Sequence, residues 1–99
     1  MTKPYSIQLK PKADDDLASI YLYSFNSFGK TKAVDYIADI NKALISISQG
    51  VAVTYKCDLI KPKLQKLIIN SHVIFFKSVD RKIEIIRILH QSQDFQRYV

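Results

Sequence analysis

Seven residues near the end of the chain, Ile83-Glu-Ile-Ile-Arg-Ile-Leu89, constrain its fold more than any other stretch. Ile83, Ile85 and Leu89 fall on one parity of an extended chain, and Ile86 and Ile88 on the other. A strand written this way is apolar on both faces and must be covered on both, or nearly so. Arg87 is the one charge in its middle and needs a partner or a route to solvent. A carboxylate such as Asp94, a carboxylate on a helix, or main-chain carbonyls would serve. A polar tail follows, carrying His90, Asp94, Arg97 and Tyr98.

The rest of the chain must supply the cover. Tyr5 to Lys10 alternates, with Tyr5, Ile7 and Leu9 on one face, predicting a half-buried first strand that Pro11 stops. A helix is expected next, with Ala13, Leu17, Ile20, Ser24 and Phe28 as its inward stripe, broadened by Tyr21 and Phe25. Asp14, Asp15 and Asp16 fall in or near its first turn, where the helix dipole favours negative charge. That position explains the run better than a metal site does. Gly29 ends this helix, and a second is expected from about Thr31 to Ser48 on the seam Ala33, Ile37, Ile40, Leu44 and Ile47. The short link makes the two an antiparallel hairpin.

Residues 51–62 lack a period and read as a loop, with some of Val51, Val53 and Leu59 tucked under the domain. Strands are expected at Leu64–Ile69 and His72–Val79, joined by a tight turn at Asn70-Ser71, and a further turn at Asp80-Arg81 leads to the last strand. The order is β-αα-βββ: an α+β fold in one domain spanning 1–99, a helical hairpin packed on a small antiparallel sheet. The simplest sheet takes the four strands in sequence order and leaves the last at an edge. An apolar edge needs cover, from the tail or from a partner's added strand.

Composition narrows the class. An apolar fraction of 47% with two Gly and three Pro is that of a globular domain. No run reaches the roughly 20 apolar residues of a membrane span, and the N-terminus lacks a signal-peptide core. The lone Cys57 forms no internal disulfide, so a cytoplasmic protein is expected. The net charge is +6, with nine Lys and Arg against four acids after residue 55. Such a balance suits an acidic or nucleic-acid partner, or a solvated basic surface.

Motifs for phosphate loops, metal ligation or nucleophile elbows are absent from the sequence, and no cofactor or metal is expected. RNA cleavage remains as an enzymatic possibility, needing a base, an acid and nearby cations. His72 and His90 begin and end adjacent strands and fall at one end of the sheet. With a two-residue turn at Asp80-Arg81, however, His72 opposes Leu89, and His90 points to the other face. An acid–base pair is therefore not expected, nor any catalytic residue. Tyr21, Tyr23 and Phe25 cannot all face inward from one helix, so some form an exposed anchor surface.

Six segments together carry a family resemblance: A-D-D-D-L-A-S-I-Y-L-Y (13–23), F-G-K-T-K-A (28–33), Tyr36, K-P-K-L-Q-K-L (61–67), H-V-I-F-F (72–76) and R-I-L-H-Q-S-Q-D (87–94). Over essentially its whole length the chain resembles ParE-type toxins of the RelE/ParE toxin–antitoxin superfamily. The resemblance implies the β-αα-βββ fold and a toxin neutralised by a cognate, ParD-like antitoxin with a disordered acidic C-terminal segment. It implies poisoning of DNA gyrase and a block to replication. RelE-like relatives instead cut mRNA in the ribosomal A site, using basic and aromatic residues clustered on the sheet. Here the sheet reads Ile, Leu, Val and Phe, and the ending is in the ParE style. The alternatives are such a ribosome-dependent mRNA endonuclease, or a detoxified antitoxin-binding module. Three positions depart from the family's pattern: Gln65 replaces the usual Arg, Phe76 a frequent Tyr, and Gln93 a Met.

Target contacts are expected at Arg87, His90, Asp94, Arg97 and Tyr98. The antitoxin is expected to lay a helix on Tyr21, Tyr23 and Phe25. It would also add a strand to an edge formed by Ile83, Ile85, Ile86 and Ile88. Neither a membrane nor direct nucleic-acid binding is expected.

Overall fold

The structure, a computed structural model, describes residues 3–99. Strand β1 (Ser6–Leu9) leads into α1 (Pro11–Phe28) and α2 (Lys30–Ser48), followed by β2 (Tyr55–Lys56), β3 (Gln65–Ile69), β4 (His72–Val79) and β5 (Lys82–His90). A short 3-10 turn, Phe95–Arg97, closes the chain. Pro11 opens α1 where its missing N–H costs nothing. Gly29 alone joins the helices: its N–H bonds Phe25 O, its C=O accepts from Ala33, and its φ of +92° suits glycine only. Ala33, Ile40, Leu44 and Ile47 of the predicted seam are buried.

The sheet order is β1-β5-β4-β3-β2, with β1 parallel to β5 and every other pair antiparallel. This corrects the simple sequential order and the all-antiparallel sheet. The cause is β2, two residues within the expected loop. It runs antiparallel to β3, so it reverses the chain once more, and β3 comes out parallel to β1. β1 therefore pairs with β5, and the strand that is apolar on both sides lies inside the sheet. Each fully buried Ile or Leu there contributes about 1.5–3 kcal/mol.

Two apolar clusters sandwich the sheet. Under the helices, Ala13, Ile20, Ile40, Leu44 and Ile47 meet Leu67, Ile74, Phe76, Ile83, Ile85 and Ile88. On the outer face Val73, Phe75 and Leu89 pack with Cys57 and Leu64, covered by Ile60, Phe95 and Val99. Phe95 stacks edge-on against Phe75 at 4.9 Å. The tail thus folds back over a face of the sheet, not over an edge. Val51, Val53 and Leu59 stay exposed, and Ala52, Cys57 and Ile60 tuck in instead. A register shift between Phe75 and Phe76, with Phe75 opposite Arg87 and Phe76 opposite Ile85, leaves Ile86 as an extra residue. The bulge reassigns the faces, so that Ile83, Ile85 and Ile88 meet the helices while Ile86 and Leu89 pack outside.

Candidate functional site

β1 is shorter than β5, and its end at Leu9, opposite Ile85, leaves the next stretch of β5 without a neighbouring strand on that side. Pro11 turns the chain into α1 there, and α1 brings Asp16 to the gap. One Asp16 carboxylate accepts from Ile88 N–H at 2.9 Å and from Arg87 Nε and Nη2, both at 2.7 Å. Arg87 thus has the helix carboxylate as its partner; Asp94 is not it. Tyr98 lies 5.4 Å under the guanidinium. The hydrogen bond to Asp16 raises the Arg87 pKa further above its already high range. Both side chains are mostly buried, so Arg87 holds α1 and the tail to β5 and offers little to a target. Asp16 was hidden by its neighbours: all three aspartates read as dipole partners, and only tertiary structure separates the third.

The bulge also overturns the parity argument at the histidines. With one extra residue in β5, His72 stands opposite His90, and their rings lie 5.4 Å apart, edge to face. The Tyr36 hydroxyl, whose pKa burial raises, is hydrogen-bonded to His72 Nδ1 at 2.6 Å. Burial first, and then the nearby His90, lowers the His72 pKa below its ordinary value of 6.5. His90 Nδ1 is 2.7 Å from Ser92 Oγ, and its ring is open to solvent. These groups sit in a cleft of about 770 Å³ between the helical hairpin and the end of the sheet, with Tyr23, Phe28, Lys32 and Asp35 among its walls. Sequence reasoning missed Tyr36 as a site residue. Its signal was its place among the residues that carry the family resemblance, with no role attached.

Aromatic side chains are exposed on α1. Tyr23 is 70% exposed and Phe25 43%, while Tyr21 is half-buried and packs its ring 6.1 Å from Phe25. Phe28, expected inward, is exposed and extends this strip to the cleft. Ile83, Ile85 and Ile88 are buried in an interior strand, and Ile86 packs on the outer cluster. Ile83 and Ile85 are paired with β1, and beyond β1 the Ile88 N–H is taken by Asp16, so Ile83–Ile88 is not the open edge expected for an added strand. In the tail, Asp94, Arg97 and Tyr98 are exposed with His90, and Asp94 O accepts from Arg97 N–H to start the 3-10 turn. Of the five expected target residues, the fold leaves four accessible. No group of three or more His, Cys, Asp or Glu able to hold a metal ion occurs among the described residues.

Residues 7–95 match the ParE toxin of type II toxin–antitoxin systems, parDE. The chain is 29% identical to Toxin ParE1 of Caulobacter vibrioides over 97 residues, 98% of each chain. It is 28% identical to Toxin ParE1 of Mycobacterium tuberculosis over 90 residues, 90% of this chain and 92% of that one. Among solved structures, the chromosomal ParDE toxin–antitoxin system from P. aeruginosa superposes with a TM-score of 0.76 at 22% identity, covering 87% of this chain and 95% of the other. The toxin–antitoxin complex RelBE2 from Mycobacterium tuberculosis superposes at 0.61 and 14% identity, covering 89% and 99%. These two likenesses establish the fold as that of RelE/ParE toxins. With nearly the whole chain matched, the protein belongs to the ParE toxin family of type II toxin–antitoxin systems.

Proposed function

We propose that this toxin poisons DNA gyrase and blocks replication, and that a cognate antitoxin with a disordered acidic segment neutralises it. The carrying observation is the match of residues 7–95 to the parDE toxin family. The exposed tail residues His90, Asp94, Arg97 and Tyr98 supply a polar surface for the target, held in place by the Arg87–Asp16 pair behind it. The antitoxin docks through an amphipathic helix on the Tyr23–Phe25–Phe28 strip, because β5 offers it no edge at Ile83–Ile88. Purified gyrase tests the first statement. The toxin should inhibit supercoiling and leave linear DNA after protein denaturation. Unimpaired gyrase beside A-site mRNA cuts would reject it, and neither effect with antitoxin binding intact would mark a detoxified module.

A second reading, RNA cleavage, is favoured by one specific observation, the Tyr36–His72–His90 cluster in its cleft. A neutral His72 could take the proton from a ribose 2′-hydroxyl as its oxygen attacks phosphorus. His90 would protonate the departing 5′-oxygen, giving a 2′,3′-cyclic phosphate and a 5′-hydroxyl. In that case His72→Gln and His90→Gln should each abolish toxicity while the protein still folds and binds antitoxin. Under the gyrase reading, His72→Gln leaves toxicity largely intact.

A further inference from the structure

Charge in this molecule is sorted by layer. The two helices hold four lysines against five aspartates, net −1. Since the chain carries +6 in all, the strands, loops and tail carry +7.

Part of that charge is gathered on the sheet face turned away from the helices. Directly paired residues share a face, as do residues two apart on one strand. Tyr55 stands opposite Lys66, Lys66 opposite Phe75, and Lys77 opposite Glu84. Phe75 belongs to the outer cluster, so Lys66 and Lys77 are on the outer face, as is Lys82, two residues before Glu84. Lys10 joins them through a 2.8 Å ion pair to Glu84. The tail and the 57–64 loop cover only the Phe75 end of this face. Beyond it the face presents Lys77, Lys82 and Lys10 against a single carboxylate, and Lys66 and the half-exposed Tyr55 flank Phe75 on the neighbouring strands. That carboxylate, Glu84, is held below the usual range by its bond to Lys10, with Lys82 and Lys77 adding to the effect. Lys66, Lys77 and Lys82 have no ion-pair partner among the described residues.

We propose that the basic diagonal across the outer sheet face, formed by Lys66, Lys77 and Lys82, binds the phosphate backbone of duplex DNA. The ligand must be a polyanion, because the lysines are diagonal neighbours on adjacent strands, about 7–8 Å apart, with little acid between them. Duplex DNA presents about one negative charge per 1.7 Å of its axis, a density that such a row neutralises by releasing counterions. An amphipathic acidic peptide finds its aromatic anchors elsewhere, on the α1 strip behind the other layer. The choice of DNA over RNA rests on the gyrase reading, in which the target itself holds duplex DNA. The toxin would then grip the DNA and gyrase together.

Fluorescence anisotropy of a labelled duplex, titrated with the full-length chain across a salt series, tests this. Three phosphate contacts predict a log–log salt slope of about −2.7. Changing Lys66, Lys77 and Lys82 together to Glu should weaken binding at low salt at least about tenfold. The same charge change at Lys12, Lys30 and Lys42 on the helices should leave it nearly as it was. If circular dichroism shows the Glu set unfolded, the Gln set at the same positions carries the comparison. Equal losses from the sheet and helix sets would reduce the effect to net charge and overturn the proposal, as would absence of duplex binding at low salt. Competition by polyglutamate as strong as by DNA at equal charge would overturn the choice of partner. Supercoiling measured in parallel separates the two ideas. Duplex binding with uninhibited gyrase sinks the gyrase reading and leaves the surface, whereas inhibition without duplex binding sinks the surface alone.

Discussion

Asp16→Ala and Arg87→Ala break the same ion pair, yet they should not cost the same. Removing one member of a buried pair costs about 3–5 kcal/mol, because the survivor is left as an uncompensated charge. Here both side chains keep 14% of their surface, which places Arg87→Ala near 3 kcal/mol, the lower end of that range. The abandoned Asp16 still accepts from Ile88 N–H. Asp16→Ala strands the guanidinium and also takes the acceptor from that N–H, an orphaned donor worth a further 1–3 kcal/mol or so. At roughly 4–8 °C per kcal/mol for a domain of this size, Arg87→Ala should lower Tm by about 12–24 °C and Asp16→Ala by more. The double variant buries no lone charge, so its loss should fall short of the sum of the two. Thermal and urea denaturation followed by circular dichroism at pH 7 measures all three. Equal losses from the single variants, or a loss under about 1 kcal/mol for Arg87→Ala, would refute a shared, buried carboxylate.

Three further outcomes can be checked. The His72 pKa is lowered on folding, so the unfolded chain binds more protons in the window below about 6.5 and stability falls as pH drops through it. The urea midpoint should decline from pH 7 to pH 5 in the wild type and less steeply in His72→Gln; parallel slopes would show that other groups control it. Tyr23→Ser should weaken binding of the cognate antitoxin by about 2 kcal/mol or more with Tm unchanged, as calorimetry would show. Unchanged affinity would move the docking surface off α1. Phe95→Ala should cost about 2 kcal/mol in urea denaturation, less than the 3–5 of a fully buried Phe, because the ring covers Phe75 from the half-exposed tail.

Most elements were legible in the sequence because their signals are local. The seam from Ala33 to Ile47, the stop at Gly29 and the turns at Asn70 and Asp80-Arg81 depend on near neighbours, and the positive φ angles at Asn70, Asp80 and Arg81 fit such tight turns. What escaped was non-local. A two-residue β2 gives no period, yet it sets the direction of every strand after it. The bulge at Ile86 adds one residue opposite Phe75 and Phe76, with nothing in Ile-Ile-Arg-Ile to mark it, and it reverses the parity of His90. The burial of the last strand on both faces was readable from its isoleucines. The conclusion that it lay at an edge failed because β1, the strand that covers it, comes from the other end of the chain.

That long-range closure has a consequence during synthesis. Ser6 to Leu9 must wait for Lys82 to Ile85 before they have a partner, whereas the helical hairpin joins neighbours and can form early. A growing chain on the ribosome therefore carries two helices with their apolar seam uncovered and a first strand with nothing to pair with. The strand that receives both, β5, leaves the tunnel almost last. Until then the Arg87–Asp16 latch, the histidine pair and the tail surface do not exist, so a truncated or stalled product has no assembled toxin surface. The same unpaired intermediate exposes its apolar seam while it waits, giving a chaperone or an antitoxin already present in the cell an opening before the toxin is whole.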